Sequence, residues 1–396
     1  MNLGYLVPEF PSQTHAFFWR ELSAIRALGD EVHILSTRRP LPEACPHDFA
    51  DPARRQTHYV FPPDWMSVLS TVIHRPVGMA ATCGYLARLH ESTLLEKART
   101  LALVPCAADL WNFSRRHRLD HIHVHSCADA AHLAALCRTL GGPTYSLTLH
   151  GDLPVYGKDH TSKMRSAAFV SAVTRPLQDQ IVHQVGLPRE RVPVIPMGVD
   201  TDRFRDEGLR SHLPDRLHMA TVARLNPTKG HEIALEAMRL ALNQGCDLRY
   251  TIAGEGPHRN VIEEQVRRLD LADRVAMPGI LSEKAVLRLL QEADAFVLPS
   301  FGLGEAAPVS VMEAMACGLP VICSLIGGTP DMITSGVEGV LVEQKDVAGL
   351  ESAMLMLASR PDRRAEMGQA ARRRAVSTFD YRTHAKALRD RIRQDR

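Results

Sequence analysis

The 396-residue sequence lacks several features that would fix its class at once. It has no run of 18 apolar residues, so no ordinary membrane-spanning helix is predicted. Its formal net charge is only +2, so nucleic acid binding by the whole chain is not predicted. The eight cysteines form no C-x-x-C pair, which predicts reduced, mostly buried thiols in a cytoplasmic protein. The opening MNLGYLVPEF lacks a basic signal-peptide region and predicts a first strand.

Short apolar segments alternate with helical periodicity along most of the chain. Apolar runs bounded by turns are typical of strands buried on both faces of a parallel sheet. Strands are predicted at 3–7, 32–36, 121–125, 144–149, 217–223, 248–253, 275–277, 295–299, 321–323 and 339–342. Helices are predicted at 15–28, 128–140, 230–243, 258–269, 283–292, 309–317 and 347–357. The predicted class is α/β, with two doubly wound Rossmann-like domains.

The segment VIPMGVDTDRF (194–204) is the predicted joint, because Pro and Gly end one pattern there before the next begins. The N-terminal domain is predicted over 1–195 and the C-terminal domain over 196–375. A helix over 376–396 could cross back to the N-terminal domain. Residues 64–118 interrupt the alternation with helical character. Two interpretations stay open: an insertion that buries its own apolar face, or a surface that touches an acceptor or a membrane.

Two cations flank the start of a predicted helix in the C-terminal domain. Arg224 directly follows the strand at 217–223, and Lys229 directly precedes the helix at 230–243. Open α/β sheets bind ligands at the carboxyl ends of their strands, and helix N-termini attract anions. Arginine and lysine at such an edge favour a diphosphate ligand. The alternative is that both are ordinary surface cations.

Glycines follow the next two strands. Gly254 and Gly256 lie in AGEGP, where glycine lets a backbone approach a ligand closely. The segment VAMPGIL has the same strand-then-Pro-Gly form and contains Met277, Pro278, Gly279 and Ile280. Each turn alone is weak evidence for a ligand-binding site, because any turn between a strand and a helix can contain glycine.

Two carboxylates stand in the apolar stretch FGLGEAAPVSVMEAMACGLP (301–320). Pro308 fits a first helical turn and Gly318 fits the position just past a helix end. Glu305 is then predicted at the mouth of a helix and Glu313 about a turn and a half inside it. A helix cap and a surface charge are the alternative.

Backbone N–H groups of Ala306, Ala307 and Val309 are predicted beside that helix mouth. N–H groups bind phosphate, and carboxylates accept hydrogen bonds from vicinal diols. A sugar nucleotide offers both groups, so the helix mouth favours a ligand of this kind.

Histidines mark the predicted sheet edge of the first domain. His150, followed by Gly151 and Asp152, ends a strand and is expected to face the interdomain cleft. The run HIHVHS (121–126) places alternate histidines on one face of a strand. Such a pair can bind metal, but buried histidines are the more common explanation, and no further ligand cluster is evident.

Taken together, Arg224, Lys229, AGEGP, VLPS and E-x7-E followed by EAMACGLPVI resemble family 4 of the retaining glycosyltransferases, which have the GT-B fold. The resemblance is strong over roughly 195–345. The stretch HIHVHSCADAAHLAALCRTLGGPTYSLTLHGD is similar to the family's bacterial exopolysaccharide, or colanic-acid-type, branch.

The resemblance implies a role for each residue. Arg224 and Lys229 would hold the donor diphosphate, and Glu313 would accept hydrogen bonds from ribose hydroxyls. Glu305 would contact donor-sugar hydroxyls, and His150 would lie beside the sugar. Further donor contacts would come from Gly254, Gly256, Met277, Pro278, Gly279, Ile280, Ala306, Ala307, Pro308 and Val309.

One loop departs from the family. Many members carry glycines after the first strand, whereas this chain has VPEFPSQTHAFFWRE (7–21). Ser12, Gln13 and Thr14 precede a helix there, so their hydroxyls and N–H groups, with Gly151 and Asp152, could meet phosphate or acceptor.

The predicted reaction is transfer of a sugar from a UDP- or GDP-linked donor to an acceptor hydroxyl, with retention of configuration. The acceptor would be a carbohydrate, a lipid-linked compound or a small molecule. No cofactor and no divalent metal are expected, since no Asp-x-Asp stands where a metal-dependent sugar transferase would need one. Nucleic acid is not an expected partner, and a peripheral contact with the inner face of the membrane is left open.

Three alternatives remain at this point. One is another GT-B enzyme, such as a sugar-nucleotide epimerase or a phosphorylase. A nicotinamide-dependent oxidoreductase would need G-x-G-x-x-G after the first strand, which VPEFPSQ lacks. A non-catalytic binding module would leave the anion-binding residues idle.

Overall fold

The structure is a computed structural model that describes residues 1–208 and 216–395. The chain divides into two compact units, one formed by Met1–Pro196 with Arg382–Arg396 and the other by Met197–Tyr381. The last residue, Arg396, and part of the predicted second domain (209–215) lie outside the described residues. In the part that is described, no helix has the length and apolar character needed to cross a membrane.

The N-terminal unit alternates strands with helices. Its strands are β1 (Asn2–Glu9), β2 (Glu31–Arg38), β3 (Thr57–Tyr59), β4 (His121–Val124), β5 (Thr144–Leu149) and β6 (Val170–Ala172). Its helices are α1 (Ala16–Ala27), α2 (Ala50–Gln56), α3 (Trp65–His74), α4 (Pro76–Ala87), α5 (Leu94–Leu101), α6 (Val104–Arg116), α7 (Asp129–Thr139), α8 (His160–Met164) and α9 (Arg175–Val185).

The C-terminal unit repeats the alternation. Its strands are β7 (Arg216–Val222), β8 (Asp247–Ala253), β9 (Val275–Gly279), β10 (Ala295–Leu298), β11 (Val321–Ser324) and β12 (Gly339–Val342). Its helices are α10 (His231–Asn243), α11 (Arg259–Arg268), α12 (Glu283–Glu292), α13 (Val309–Ala316), α14 (Thr329–Met332), α15 (Val347–Ser359) and α16 (Pro361–Thr378). The last helix of the chain is α17 (Tyr381–Asp395).

Each unit contains a parallel sheet of six described strands. The spatial orders are β3-β2-β1-β4-β5-β6 and β12-β11-β10-β7-β8-β9. Both are the doubly wound order, in which the chain moves outward from a central strand and then restarts on its other side. The point of reversal lies between β1 and β4 in one unit and between β7 and β10 in the other. Ligands bind outside the carboxyl ends of the strands at such a point.

The predicted fold class is confirmed. All ten strands predicted from the sequence are present, and short buried runs such as β10 and β11 have no exposed residue, as a sheet covered on both faces requires. The three-residue strands β3 and β6 were not predicted, because three residues show no periodicity.

The final helix belongs to the N-terminal unit. Ala385, Leu388 and Ile392 of α17 join the core built around β1 and α1. Arg389 and Arg393 pair with the buried Asp30, and these bonds lower the pKa of that carboxyl to about 2. The predicted helix start at 376 is wrong, since α16 continues to Thr378.

A backbone pairing explains the break between α16 and α17. The N–H of Val199 donates to the Phe379 carbonyl at 2.8 Å, and the N–H of Tyr381 donates to the Val199 carbonyl at 3.2 Å. The extended pairing with Val199 interrupts the helix there.

Candidate active site

Arg224 lies at the carboxyl end of β7, beside the point of reversal in the second sheet. The loop around it is held by backbone bonds: Leu225 donates to the Glu255 carbonyl, and His258 donates to the Leu225 carbonyl, both at 3.0 Å. The Arg224 side chain is exposed and forms no ion pair with any carboxylate of residues 1–208 and 216–395. A fixed backbone therefore presents a guanidinium whose charge is available to an anion.

Gly254 and Gly256 explain how that loop is packed. A Cβ atom on Gly254 would lie 1.8 Å from the Ala223 carbonyl oxygen, and one on Gly256 would lie 2.2 Å from the Leu225 carbonyl oxygen. Gly254 also has a φ of +143°, which L side chains rarely adopt. Both glycines thus allow the AGEGP turn to pack closely against the carbonyl groups of Ala223 and Leu225, the residues on either side of Arg224.

Lys229 and Glu305 form an ion pair, although 75 residues separate them in the sequence. Lys229 ends a 3-10 turn, Pro227–Lys229, just before α10, and Glu305 lies on the loop after β10. Ser300 Oγ donates to the same Glu305 oxygen, Oε2, at 2.9 Å. The ion pair is mostly buried, so solvent screens it little.

Two close backbone approaches bring these loops together. Phe301 N–H donates to the Thr228 carbonyl at 2.8 Å. Gly230, with a φ of +70°, leaves no room for a Cβ atom, which would lie 2.1 Å from the Pro299 carbonyl oxygen. The loops after β7 and β10 are therefore joined directly at the point of reversal.

The helix mouth has the predicted residues, with one correction. Pro308 is the N-cap residue in an extended conformation and Val309 is the first helical residue, so Pro308 does not lie in the first turn. Ala306 and Ala307 are buried in the approach to α13. Gly328 N–H donates to the Ala306 carbonyl at 2.6 Å, which fixes this approach. The helix ends at Ala316, with Gly318 just beyond it at a φ of +74°, as predicted.

Glu313 lies in the second turn of α13. Only 8% of its surface is exposed, and its neighbours Met312 and Met315 are core residues. The alternative that Glu313 is an exposed surface charge is therefore wrong. A carboxylate at so buried a position must be hydrogen-bonded to remain charged.

The segment after β8 and β9 carries the other predicted donor contacts. Arg259 pairs with Glu255 and donates from Nη2 to the Met277 carbonyl at 3.2 Å. Gly279 ends β9 with a φ of +81°, whereas Pro278 and Ile280 are exposed. Arg259 therefore links the AGEGP turn to the end of β9.

His150 follows β5 in the N-terminal unit and belongs to a buried polar chain. His150 Nε2 lies 3.2 Å from His125 Nδ1, and His125 Nε2 lies 3.2 Å from Glu21 Oε1. Tyr5 Oη donates to that same oxygen at 2.7 Å. Burial lowers the pKa of His150 and of His125 to about 3, and it raises the pKa of Glu21. Both imidazoles are therefore neutral at pH 7.

The loop after His150 is ordered by a tyrosine. His150 N–H donates to Tyr156 Oη at 2.8 Å. Gly151 is buried, and Asp152 directly precedes the 3-10 turn Leu153–Tyr156. On the first loop, His15 N–H donates to the Ser12 carbonyl at 3.0 Å, and the Gln13 carbonyl lies 2.7 Å from His47 Nε2. Thr14, the third residue predicted there, is exposed, and α1 begins two residues later.

The alternating histidines of β4 are bonded to hydroxyls of β5. His121 contacts Thr144 and Ser146, and His123 contacts Ser146 and Thr148, all within 2.9 Å. These side-chain contacts between imidazoles and hydroxyls account for the alternation of histidines along β4. Among the described residues there is no group of three or more His, Cys, Asp or Glu side chains that could hold one.

Comparison with known proteins gives the family. Residues 17–203 match the model for Glycosyltransferase Family 4, and residues 210–374 match the model for Glycosyl transferases group 1. The chain belongs to family 4 of the glycosyltransferases. The resemblance predicted from the sequence motifs is thereby confirmed.

Two curated relatives show how far the likeness extends. A putative colanic acid biosynthesis glycosyltransferase of Escherichia coli is 37% identical over 173 residues, which are 43% of this chain and 42% of that protein. A GDP-mannose-dependent alpha-(1-6)-phosphatidylinositol monomannoside mannosyltransferase of Mycolicibacterium smegmatis is 28% identical over 328 residues, which are 78% of this chain and 84% of that protein. The match of this glycosyltransferase thus spans less than half the length of the Escherichia coli relative.

A solved structure gives the fold. HepE of Anabaena, in complex with UDP-glucose, matches with a TM-score of 0.75 at 17% identity, over 100% of both chains. The fold of this glycosyltransferase is the predicted GT-B fold, with two Rossmann-like domains.

Sequence reasoning missed three polar residues of this glycosyltransferase. Ser300 bonds Glu305, and Tyr5 and Glu21 extend the chain that ends at His150. The sequence could have indicated Glu21, because it lies on α1 next to the apolar stripe formed by the buried residues Phe18, Leu22 and Ile25. An acid on such a face requires a polar partner.

Proposed function

We propose that this glycosyltransferase moves a sugar from a nucleoside diphosphate sugar to an acceptor hydroxyl, with retention of anomeric configuration. One observation carries the proposal: Arg224 and the Lys229–Glu305 pair lie where the second sheet reverses, at the carboxyl ends of β7 and β10. That edge is the binding position for nucleotides in doubly wound sheets.

Arg224 and Lys229 hold the donor diphosphate in this proposal. In the reaction the bond between the anomeric carbon and the β-phosphate oxygen breaks, and its electron pair leaves with the nucleoside diphosphate. Negative charge therefore grows on the phosphate, and two preorganised cations stabilise it. The acceptor oxygen bonds to the anomeric carbon, and its proton passes to the leaving diphosphate or to solvent. Retention follows from same-face attack or from two successive displacements.

The α13 mouth and its carboxylates bind the rest of the donor. N–H groups of Ala306, Ala307 and Val309 contact phosphate, since the first N–H groups of a helix have no intrahelical acceptor. Glu305 accepts hydrogen bonds from sugar hydroxyls, and Glu313 accepts them from the ribose. Glu313 is buried beside the core residues Met312 and Met315, and the proposal places the ribose diol against its carboxylate.

The loops after β8 and β9 complete the donor site. The segment from Met277 to Ile280 flanks the base, and Pro278 and Ile280 supply exposed apolar surface for it. Gly254 and Gly256 do not contact the donor in this proposal. They allow the AGEGP turn to pack against the loop that carries Arg224, and so they position Arg224. The reaction needs no cofactor and no divalent metal in this proposal, since Arg224 and Lys229 supply the positive charge.

His150 serves the sugar-transfer step. Its imidazole is neutral, so it offers one N–H donor and one lone pair rather than a positive charge. Ser12, Gln13, Thr14, Gly151 and Asp152 lie on the two loops of the same unit and are assigned to phosphate or acceptor.

The proposed role is in exopolysaccharide or glycoconjugate synthesis. The Escherichia coli relative is named for colanic acid biosynthesis and the Mycolicibacterium smegmatis relative for a GDP-mannose-dependent reaction, which supports a carbohydrate or lipid-linked acceptor and a GDP donor. A UDP donor is the alternative, because the HepE structure of the same fold contains UDP-glucose. All eight cysteines are free thiols, which supports a cytoplasmic location. A peripheral position at the inner face of the membrane is part of the same proposal.

Arg224→Ala tests the assignment. The variant should lose most sugar transfer while melting at the wild-type temperature, because Arg224 is exposed and contributes little to the core. Arg249→Ala, at an exposed arginine of β8, is the matched control and should remain active. Full turnover by Arg224→Ala would contradict the phosphate assignment.

The stereochemistry and the reaction class need two further measurements. NMR of the product should show the anomeric configuration of the donor, and an inverted centre would contradict retention. Incubation with donor alone distinguishes a transferase from an epimerase, which needs no acceptor. Adding inorganic phosphate in place of the acceptor distinguishes a transferase from a phosphorylase, which would form a sugar phosphate.

A further inference from the structure

Helix α3 exposes its apolar side and buries its polar side. Five apolar residues are between 42% and 71% exposed, whereas Ser67 and Thr71 are 2% and 0% exposed. The exposed residues are Trp65, Met66, Leu69, Val72 and Ile73. A surface helix of a globular protein normally has the opposite arrangement.

Hydrogen bonds hold α3 in this orientation. Thr71 Oγ1 donates to the Ala108 carbonyl of α6 at 2.9 Å, and Ser67 Oγ donates to Asp64 Oδ2 at 2.7 Å. Asp64 also caps the helix by accepting from the Met66 N–H. Rotating the apolar side inward would break the bond from Thr71 to α6 and bury the apolar residues in place of Ser67 and Thr71, so the exposure is part of the packing.

The next two helices continue the pattern. In α4, Thr82 and Tyr85 are buried and Val77 is 81% exposed. In α5, Thr100 is buried, whereas Leu94 and Leu95 are 86% and 64% exposed. Helix α4 contacts both α3 and α5. We call Trp65, Met66, Leu69, Val72, Ile73, Val77, Leu94 and Leu95 the outer apolar face.

An insertion that buries its own apolar face was one interpretation of residues 64–118. For α3 to α5 that interpretation is wrong. Soluble monomers rarely expose apolar patches of this kind, and those that do use them to bind something.

Charge identifies the partner. No Asp or Glu occurs between residues 65 and 90, whereas Arg75 and Arg88 lie within that range and are exposed. His74 and His90 are exposed there as well. Asp64 and Glu91 flank this range, but Asp64 caps α3 and Glu91 accepts from the Asp159 N–H at 2.9 Å. Helices α3 and α4 themselves contain no carboxylate, and exposed cations attract anionic headgroups. Two copies of this face would instead bring the arginines at the ends of α3 and α4 together, since the α5 carboxylate Glu96 is already paired with Lys158.

We propose that the outer apolar face binds the surface of an anionic lipid bilayer. Helix α3 has 10 residues, too few to span a bilayer, so it lies in the headgroup region with Trp65 and its apolar neighbours inserted. The proposal rests on helices that contain none of the proposed donor-binding or catalytic residues. Its test therefore needs no activity measurement.

Vesicle sedimentation tests the proposal with the full chain. The wild-type protein should sediment with phosphatidylcholine vesicles that contain phosphatidylglycerol and less with phosphatidylcholine alone. The double variant Leu69→Glu/Ile73→Glu should bind the anionic vesicles at least about tenfold more weakly, because two inserted side chains become charged. Val337→Glu/Val376→Glu, at exposed apolar sites of the C-terminal unit, is the matched control and should bind as wild type.

Trp65 provides a second, independent signal. Its emission should shift to shorter wavelength on adding anionic vesicles, and Trp65→Phe should abolish the shift while most binding remains. The other tryptophans, Trp19 and Trp111, are less exposed than Trp65. Since Trp65 is exposed, its replacement should not affect folding.

Three results would overturn the proposal. One is absence of wild-type binding to anionic vesicles, and another is equal binding by Leu69→Glu/Ile73→Glu. The third is a dimer in light scattering that this double variant dissociates while vesicles fail to bind the wild type, which would assign the face to a second copy of the chain.

Discussion

The ammonium of Lys229 lies directly against Oε2 of Glu305, and Ser300 donates to the same oxygen. This pair joins the loops that follow β7 and β10, the two strands between which the second sheet reverses. A lysine side chain is long and flexible, so a fixed carboxylate holds its charge in one place. The pair thus prepares a cation at the position proposed for the donor diphosphate.

Lys229→Ala should lower kcat/KM by about 100-fold to 1,000-fold, the usual cost of removing one electrostatic group at a developing charge. It also leaves Glu305 mostly buried with Ser300 as a remaining partner, so we expect a lower melting temperature. Steady-state kinetics and thermal melts measure the two effects. Lys284→Ala, at an exposed lysine of α12, is the control. Wild-type kcat/KM in Lys229→Ala would contradict the role of the pair.

Glu313→Gln should weaken donor binding by about tenfold, because an amide accepts hydrogen bonds from a diol less strongly than a carboxylate does. We expect KM for the donor to rise while kcat changes little, since the ribose is remote from the reacting bond. Glu343→Gln, at an exposed carboxylate of the same unit, should leave both constants unchanged. An unchanged donor affinity in Glu313→Gln would remove the ribose assignment.

Gly256→Ala should weaken nucleotide diphosphate binding without any loss of a charged group. The added methyl would lie 2.2 Å from the Leu225 carbonyl oxygen, so the loop that carries Arg224 must move. Titration calorimetry should show a clear fall in affinity. Gly84→Ala in α4, where a Cβ meets nothing within 4 Å, should bind as wild type. Equal affinity in both variants would show that the turn does not position Arg224.

The N-terminal unit should lose stability as pH falls from about 7 to 5. Burial lowers the pKa of His121, His125 and His150 to about 3, and of His132 to about 4. In the unfolded chain each titrates near pH 6.5, so below that pH the unfolded state binds protons that the folded state does not. Below pH 6.5 each of these histidines lowers the free energy of unfolding by about 1.4 kcal/mol for every pH unit. The stability that comes from keeping a histidine neutral is fully present only above about pH 6.5.

Urea unfolding between pH 7.5 and 5 measures this dependence. The slope of the unfolding free energy against pH reports the number of protons that the chain takes up on unfolding. His121→Gln should reduce that number by about one, because the variant lacks a histidine that burial keeps neutral in the folded state. His183→Gln, at an exposed position of α9, should leave the slope unchanged. A stability that does not change between pH 7.5 and 5 would show that these histidines are not buried as neutral groups.

The sequence predicted the features that depend on local patterns. Runs such as those of β10 and β11 are short, apolar and bounded by turns, which is enough to place a buried strand. Gly318 signals a helix end through its backbone alone. Arg224 and Lys229 could be placed at the sheet edge because strand and helix ends fix that edge.

The remaining features depend on contacts between distant segments. The Lys229–Glu305 bond and the chain from Tyr5 through Glu21 to His150 join residues whose partners no local pattern specifies. Gly254 was assigned to a ligand, whereas the nearest backbone is that of Ala223. The orientation of α3 depends on which side its neighbour α6 contacts, because periodicity shows that a helix is amphipathic but not which side is buried.

Binding of UDP, GDP and ADP to the wild-type protein and to Arg224→Ala, by thermal shift and calorimetry, tests whether Arg224 binds the donor diphosphate. We expect at least one nucleoside diphosphate to raise the melting temperature of the wild type. In Arg224→Ala the same nucleotide should bind at least about tenfold more weakly, since a charge-assisted phosphate contact is lost. Failure of all three to bind the wild type, or equal binding to Arg224→Ala, would contradict this assignment.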